Sequence, residues 1–149
     1  MRIAIGSDHG GFELKTLIKE FLIDEGYEVF DFGCKTKDSV DYPNYGFAVG
    51  EAVASKEYDR GIVICGSGIG ISIAANKVKG IRCALVNDVY VAKMTRMHND
   101  SNVLAMGGRI IGAGLAKEIV KVWITTDYDG GRHDKRLEII NDYEKKGDK

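Results

Sequence analysis

GIVICGSGIGISIAANK, Gly61 to Lys77, is a short apolar run that ends in a cysteine and breaks at once into glycines. The run predicts a strand, apolar throughout and therefore central in its sheet. The glycines predict a tight turn, and the residues after them a helix. Strand, glycine turn and helix together make a unit whose backbone amides can face an anion.

The same alternation extends outward in both directions. Upstream, RIAIG (Arg2–Gly6) predicts a first strand and GGFELKTLIKEFLIDEGY a first helix. There Phe12, Leu14, Leu17, Ile18, Phe21 and Leu22 recur at helical spacing, and Gly26 ends the element. EVFDFG predicts a second strand, and DYPNYGFAVGEAVASKEYD a second helix with the only proline, Pro43, near its start. Downstream, IRCALV and NVLAMG predict strands, each followed by a helix. A last polar segment, RHDKRLEIINDYEKK, predicts a C-terminal helix with Leu137, Ile140 and Tyr143 on its inner face. No linker or repeat interrupts the series. The expectation is one domain over residues 1–149, a doubly wound (Rossmann-like) α/β fold with a five-stranded parallel sheet and helices on both faces.

Composition narrows the partners. The chain has 149 residues, and 21 basic side chains balance 22 acidic ones to a net charge of −1. That balance argues against nucleic acid or a membrane surface as the main partner. Three cysteines, Cys34, Cys65 and Cys83, match no zinc or CxxC spacing. The start, MRIAIG, has no signal-peptide core, so a cytoplasmic protein with reduced thiols is expected.

In an open parallel sheet, ligands bind beyond the carboxyl ends of the strands. That rim gathers Ser7, Asp8, His9, Gly10 and Gly11 after the first strand, and Cys65, Gly66, Ser67, Gly68 and Gly70 after the third. It also holds Asn87 and Asp88 after the fourth, and Gly107, Gly108 and Arg109 after the fifth. Cys34 and Cys83 read as small hydrophobes. Cys65 ends its strand before a helix start, a setting that favours a reactive thiol. As a dinucleotide fingerprint the loop fails, because the third glycine should fall at Ile71. A phosphatase loop needs arginine at that same position. An oxyanion pocket fits: amides hold a negative oxygen, a thiolate serves as nucleophile or base, and Ser67 adds a hydroxyl.

Two readings stay open for Asp8, a helix cap or a partner in the chemistry. His98 lies about 16 Å along a helix directed away from the rim. It is either a helix-terminal surface residue or a contribution to a neighbour's site. Arg132, His133, Lys135 and Arg136 are either a solvated face or a phosphate grip.

IGSDHGGFELK, CGSGIGISIAANK, HNDSNVLAMGGRIIG and GGRHDKR, in this order along nearly the whole chain, resemble the B-type ribose-5-phosphate isomerase family. That family also contains galactose- and allose-6-phosphate isomerases. The resemblance implies an aldose–ketose isomerase that interconverts ribose 5-phosphate and ribulose 5-phosphate in the pentose phosphate pathway, without metal or cofactor. It assigns proton transfer between C2 and C1 to Cys65, and the cis-enediolate pocket to the amides of Gly66, Ser67, Gly68, Ile69 and Gly70 with the Ser67 hydroxyl. Ring opening falls to His98, assisted by Asp8. Phosphate contacts fall to His9, Arg109, Arg132 and Arg136, and sugar contacts to Tyr42 and Asn99. Family members are homodimers or homotetramers with sites near subunit interfaces, which suits the distance of His98 from the rim. Many relatives carry Thr where Ser67 stands; the hydroxyl is retained. A hexose 6-phosphate substrate and a non-catalytic sugar-phosphate or nucleotide module are the alternatives.

Overall fold

The computed structural model describes residues 1–147. Five strands, β1 (Arg2–Ser7), β2 (Glu28–Asp31), β3 (Arg60–Cys65), β4 (Cys83–Leu85) and β5 (Val103–Gly107), form one parallel sheet in the order β2-β1-β3-β5-β4. The three inner strands are apolar and buried almost throughout, as the Gly61–Cys65 run predicts. The edge strands β2 and β4 are short and half-exposed.

Six α-helices connect and flank the strands: α1 (Phe12–Asp24), α2 (Tyr42–Ala54), α3 (Ile69–Ala75), α4 (Val89–Asn99), α5 (Ala113–Thr125) and α6 (Asp134–Lys146). Side chains alternate along each inner strand and so divide the core in two. Ile3, Ile5, Ile62, Ile64, Leu104 and Met106 pack against α1, α4 and α5 around the fully buried Trp123. Ala4, Val63, Cys65, Val103 and Ala105 face α2 and α3 through Val49 and Ile71. The sheet is therefore covered on both faces, as expected.

Helix ends follow local chemistry. α1 stops where Gly26 adopts φ +87°, and Pro43 sits in the first turn of α2, where its missing N–H costs nothing. Burial on α1 selects Leu14, Ile18 and Leu22 from the apolar set, and adds Lys15. α6 departs from expectation: only Leu137 is buried, whereas Ile140 and Tyr143 are exposed. The helix flanks the sheet at the β4 edge instead of lying on a face, so a single buried apolar residue, Leu137, anchors it. Asn76 also guards that edge, its side chain donating to Cys83 O and accepting from Cys83 N, both at 2.8 Å. Among the described residues no helix is long and apolar enough to cross a membrane.

The chain leaves β1 for β2 on one side and reaches β3 on the other, so the switch point lies between the carboxyl ends of β1 and β3. In a sheet of this kind that crevice is where ligands bind.

Candidate active site

Asp8 and Cys65 stand at the two lips of the crevice. Asp8 is buried, and its Oδ1 accepts from Gly11 N at 3.1 Å, capping the 3₁₀ turn (His9–Gly11) that leads into α1. The capping reading holds, and the carboxylate still borders the cavity. Cys65 is buried too, and Gly68 N donates to its Sγ at 3.1 Å. Gly68 can aim its N–H this way because it adopts φ +79°, which disfavours any residue with a Cβ.

Three glycine turns meet above the sheet. Gly108 N donates to Cys65 O at 2.8 Å, and Arg109 N to Gly66 O at 3.0 Å. A Cβ on Gly108 would lie 2.6 Å from Gly10 O, so backbone packs directly on backbone here. The loops brace each other without intervening side chains, which holds Cys65 and the amides in fixed relation.

The cavity between them measures about 370 Å³ and is lined by Asp8, Tyr42, Cys65, Gly66, Ser67, Gly70, Arg109 and Ile110. The amides of Gly66 and Ser67 meet no protein acceptor among the described residues. Gly70 lies in the first turn of α3, where N–H groups lack intrahelical partners. The amides of Gly68 and Ile69 are taken within the loop, by Cys65 Sγ and by Ser67 Oγ at 3.3 Å. The Arg109 guanidinium packs over Gly66, and the Tyr42 ring lies against Gly70. His9 sits behind the turn, where its Nδ1 accepts from Val40 N at 3.2 Å.

The other two thiols are quiet. Cys34 is buried and donates to Thr36 O. Burial pushes the Cys83 thiol up to about 12, so it stays protonated at neutral pH.

His98, Asn99, Arg132 and Arg136 lie elsewhere. α4 runs back from the rim, and its last turn is held by buried Arg96, which donates to Asp100 Oδ1 at 2.7 Å and to Ser101 O at 2.6 Å. Asn99 lines a separate cavity of about 360 Å³ beside β4 and α6. The His98 ring stacks on His133 from the segment that carries Arg132, with centroids 4.4 Å apart. Within one chain, then, the fold divides the candidate residues between two places. Ile110 is a wall residue that the sequence reading missed; its position directly after the GGR turn is the only signal that pointed to it.

Comparison with known proteins matches these features. The Ribose/Galactose Isomerase family model covers residues 3–140. Ribose-5-phosphate isomerase B of Escherichia coli is 49% identical over 97% of this chain and 97% of its own. Galactose-6-phosphate isomerase subunit LacA 1 of Streptococcus agalactiae is 43% identical over 95% of this chain and 98% of its own. The structure of Clostridium thermocellum ribose-5-phosphate isomerase B superposes with TM-score 0.97 at 56% identity, covering 98% of this chain and 99% of the other. The motifs on the rim, the sheet that carries them and these matches agree that the chain belongs to the ribose/galactose isomerase family.

Proposed function

We propose that the chain interconverts ribose 5-phosphate and ribulose 5-phosphate, with Cys65 as the base and no metal or cofactor in the step. The observation that carries this reading is one cavity in which Cys65 Sγ, the Gly66, Ser67 and Gly70 amides, Asp8 and Arg109 converge. With the open-chain aldose bound, the thiolate takes the proton from C2. The C–H electron pair becomes the C1–C2 double bond, and the carbonyl pair moves onto O1. The amides hold the resulting cis-enediolate. Return of the proton to C1 and loss of the O2 proton, with O1 protonated in turn, give the ketose. One oxyanion donor contributes about 3–4 kcal/mol, and a positioned base ~10²- to 10⁴-fold. Arg109, whose guanidinium packs over Gly66 on the cavity wall, meets the phosphate, whose binding energy orients the reacting carbons.

A second copy of the chain completes the site in this reading. His98 stands in the last turn of α4, and Ile69, Ile73 and Ile110, each more than half exposed, leave an apolar face around the cavity rim. Mixing inactive Cys65→Ala and His98→Ala chains by co-refolding should therefore restore part of the activity. Mixed oligomers without rescue would place both residues in one chain's site. Because all three cysteines are free, the enzyme suits a reducing compartment, which we take to be the cytoplasm.

A hexose 6-phosphate is the second reading, favoured by the 43% identity to a galactose-6-phosphate isomerase subunit. Measuring kcat/KM on ribose, allose and galactose phosphates separates the two. The pentose should lead by at least about tenfold, a difference of about 1.4 kcal/mol in transition-state binding. A hexose in first place overturns the substrate; no turnover of any of the three overturns the function.

A further inference from the structure

Away from this chain's own cavity, one cluster among the described residues has metal-ligand chemistry: His98 at the end of α4, and Asp129 and His133 in the segment after α5. One donor atom from each lies within 4.8 Å of the other two. The cluster is built by the backbone. Asp129 N donates to Met97 O at 3.1 Å, which pins that segment to the last turn of α4. The chain then turns through Gly130 and Gly131, closed by His133 N donating to Gly130 O at 3.2 Å, and lays the His133 ring on His98 at an angle of 14°. The network of Arg96, Arg82 and Asp100 fixes the helix end beneath them.

From this juxtaposition we infer a site for a divalent transition metal of the zinc or nickel type, held by two imidazoles and one carboxylate. Zinc takes such ligands at about 2.0–2.2 Å, so donors around one ion stand closer than those seen here. The gap closes by about an ångström, through side-chain rotation that opens the ring stack. Asp129 is exposed and both rings are half-exposed, so the side chains have room to do this. Arg132 Nε lies 3.4 Å from His133 Nε2 and must swing aside or leave Nδ1 as the ligating atom. Imidazole selects zinc, nickel or cobalt over magnesium and calcium, which prefer all-oxygen shells. Three protein ligands leave an open coordination position. Such an ion takes no part in isomerisation. It occupies His98, and, if the proposed function holds, it inhibits by removing the ring-opening group.

The chain has only three histidines, so His9 serves as an internal control. Titrating the full-length protein with nickel chloride should broaden the imidazole C–H signals of His98 and His133 and leave His9 sharp. Zinc titrated by calorimetry should bind the unaltered protein and lose about tenfold or more in affinity in Asp129→Ala and in His133→Ala. Magnesium should produce neither effect. Asp129→Asn should keep basal isomerase activity while losing zinc inhibition. Equal broadening of all three histidines, unchanged zinc affinity in both variants, or loss of zinc binding only when Cys65 is replaced overturns the site. The spectroscopic and calorimetric readouts stand even if the chain turns over no pentose phosphate, so the two proposals fail separately.

Discussion

Cys65→Ser should lower kcat on ribose 5-phosphate by about a thousandfold or more while substrate affinity changes only a few-fold. A hydroxyl replaces the thiol at nearly the same volume, so the buried position stays filled and the rim glycine turns keep their packing. What changes is the proposed proton acceptor: a serine hydroxyl does not ionise near neutral pH unless a base sits beside it, and none among the described residues is hydrogen-bonded to Sγ here. Its hydrogen-bond partner is the Gly68 amide, a donor. Loss of a positioned base costs ~10²- to 10⁴-fold by itself. Pre-steady-state binding of ribose 5-phosphate separates the base from a packing role, because a distorted pocket weakens binding along with turnover. If Cys65→Ser retains more than about a tenth of kcat, the sulfur is not the base and the amide pocket must work with another group.

The same cavity shows what a sequence can reveal. Parallel α/β topology sends every strand's carboxyl end to one rim, so residues after β1, β3 and β5 had to be neighbours once the alternation was read. Asp8, Cys65, Ser67 and Arg109 follow from that single rule. The insertion of β5 between β3 and β4 does not follow, since crossovers of similar length reach either position. Nor does the meeting of His98 with His133 and Asp129, which depends on how the segment after α5 turns back across α4. Ile140 and Tyr143 misled for a related reason: helical spacing shows an apolar stripe but not whether a neighbour covers it. Lys15 hid in plain view. Its position beside Leu14 on α1 reads as the polar flank of an amphipathic helix, yet it is almost wholly buried.

That lysine sets the second large effect, expected from Asp31→Asn at the end of β2. Lys15 Nζ donates to Asp31 Oδ1 at 2.8 Å and to Cys34 O at 2.6 Å, with its side chain 2% exposed. Gly33 N donates to the same carboxylate oxygen at 2.9 Å, and Lys19 reaches Oδ2 at 3.2 Å. The loop thus anchored pairs with β1 on both sides of Ser7, next to Asp8: Ser7 N donates to Gly33 O and Cys34 N to Ser7 O, each at 2.7 Å. Neutralising Asp31 strands a buried ammonium, a change that costs about 3 kcal/mol, at the low end for buried pairs because Asp31 is partly exposed. For a chain of this size that lowers Tm by about 6–12 °C. Lys19→Ala, which removes only the more exposed cation, should cost less than about 1 kcal/mol. The effect also carries a pH signature. Burial alone pushes the Asp31 carboxyl up, but the hydrogen bonds from Lys15 and Gly33, the Lys15 charge and Lys19 outweigh it and hold the group below the usual carboxylate range. A depressed carboxyl stabilises the fold fully above its unfolded value of about 3.9, and that stability is lost as pH falls through the folded value. Urea unfolding of both proteins should therefore show a constant difference from about pH 5 to 8 that shrinks below about pH 4. A difference that persists undiminished in acid, or a Lys19→Ala loss as large as that of Asp31→Asn, would mean that the buried pair is not what ties β2 to the strand carrying Asp8.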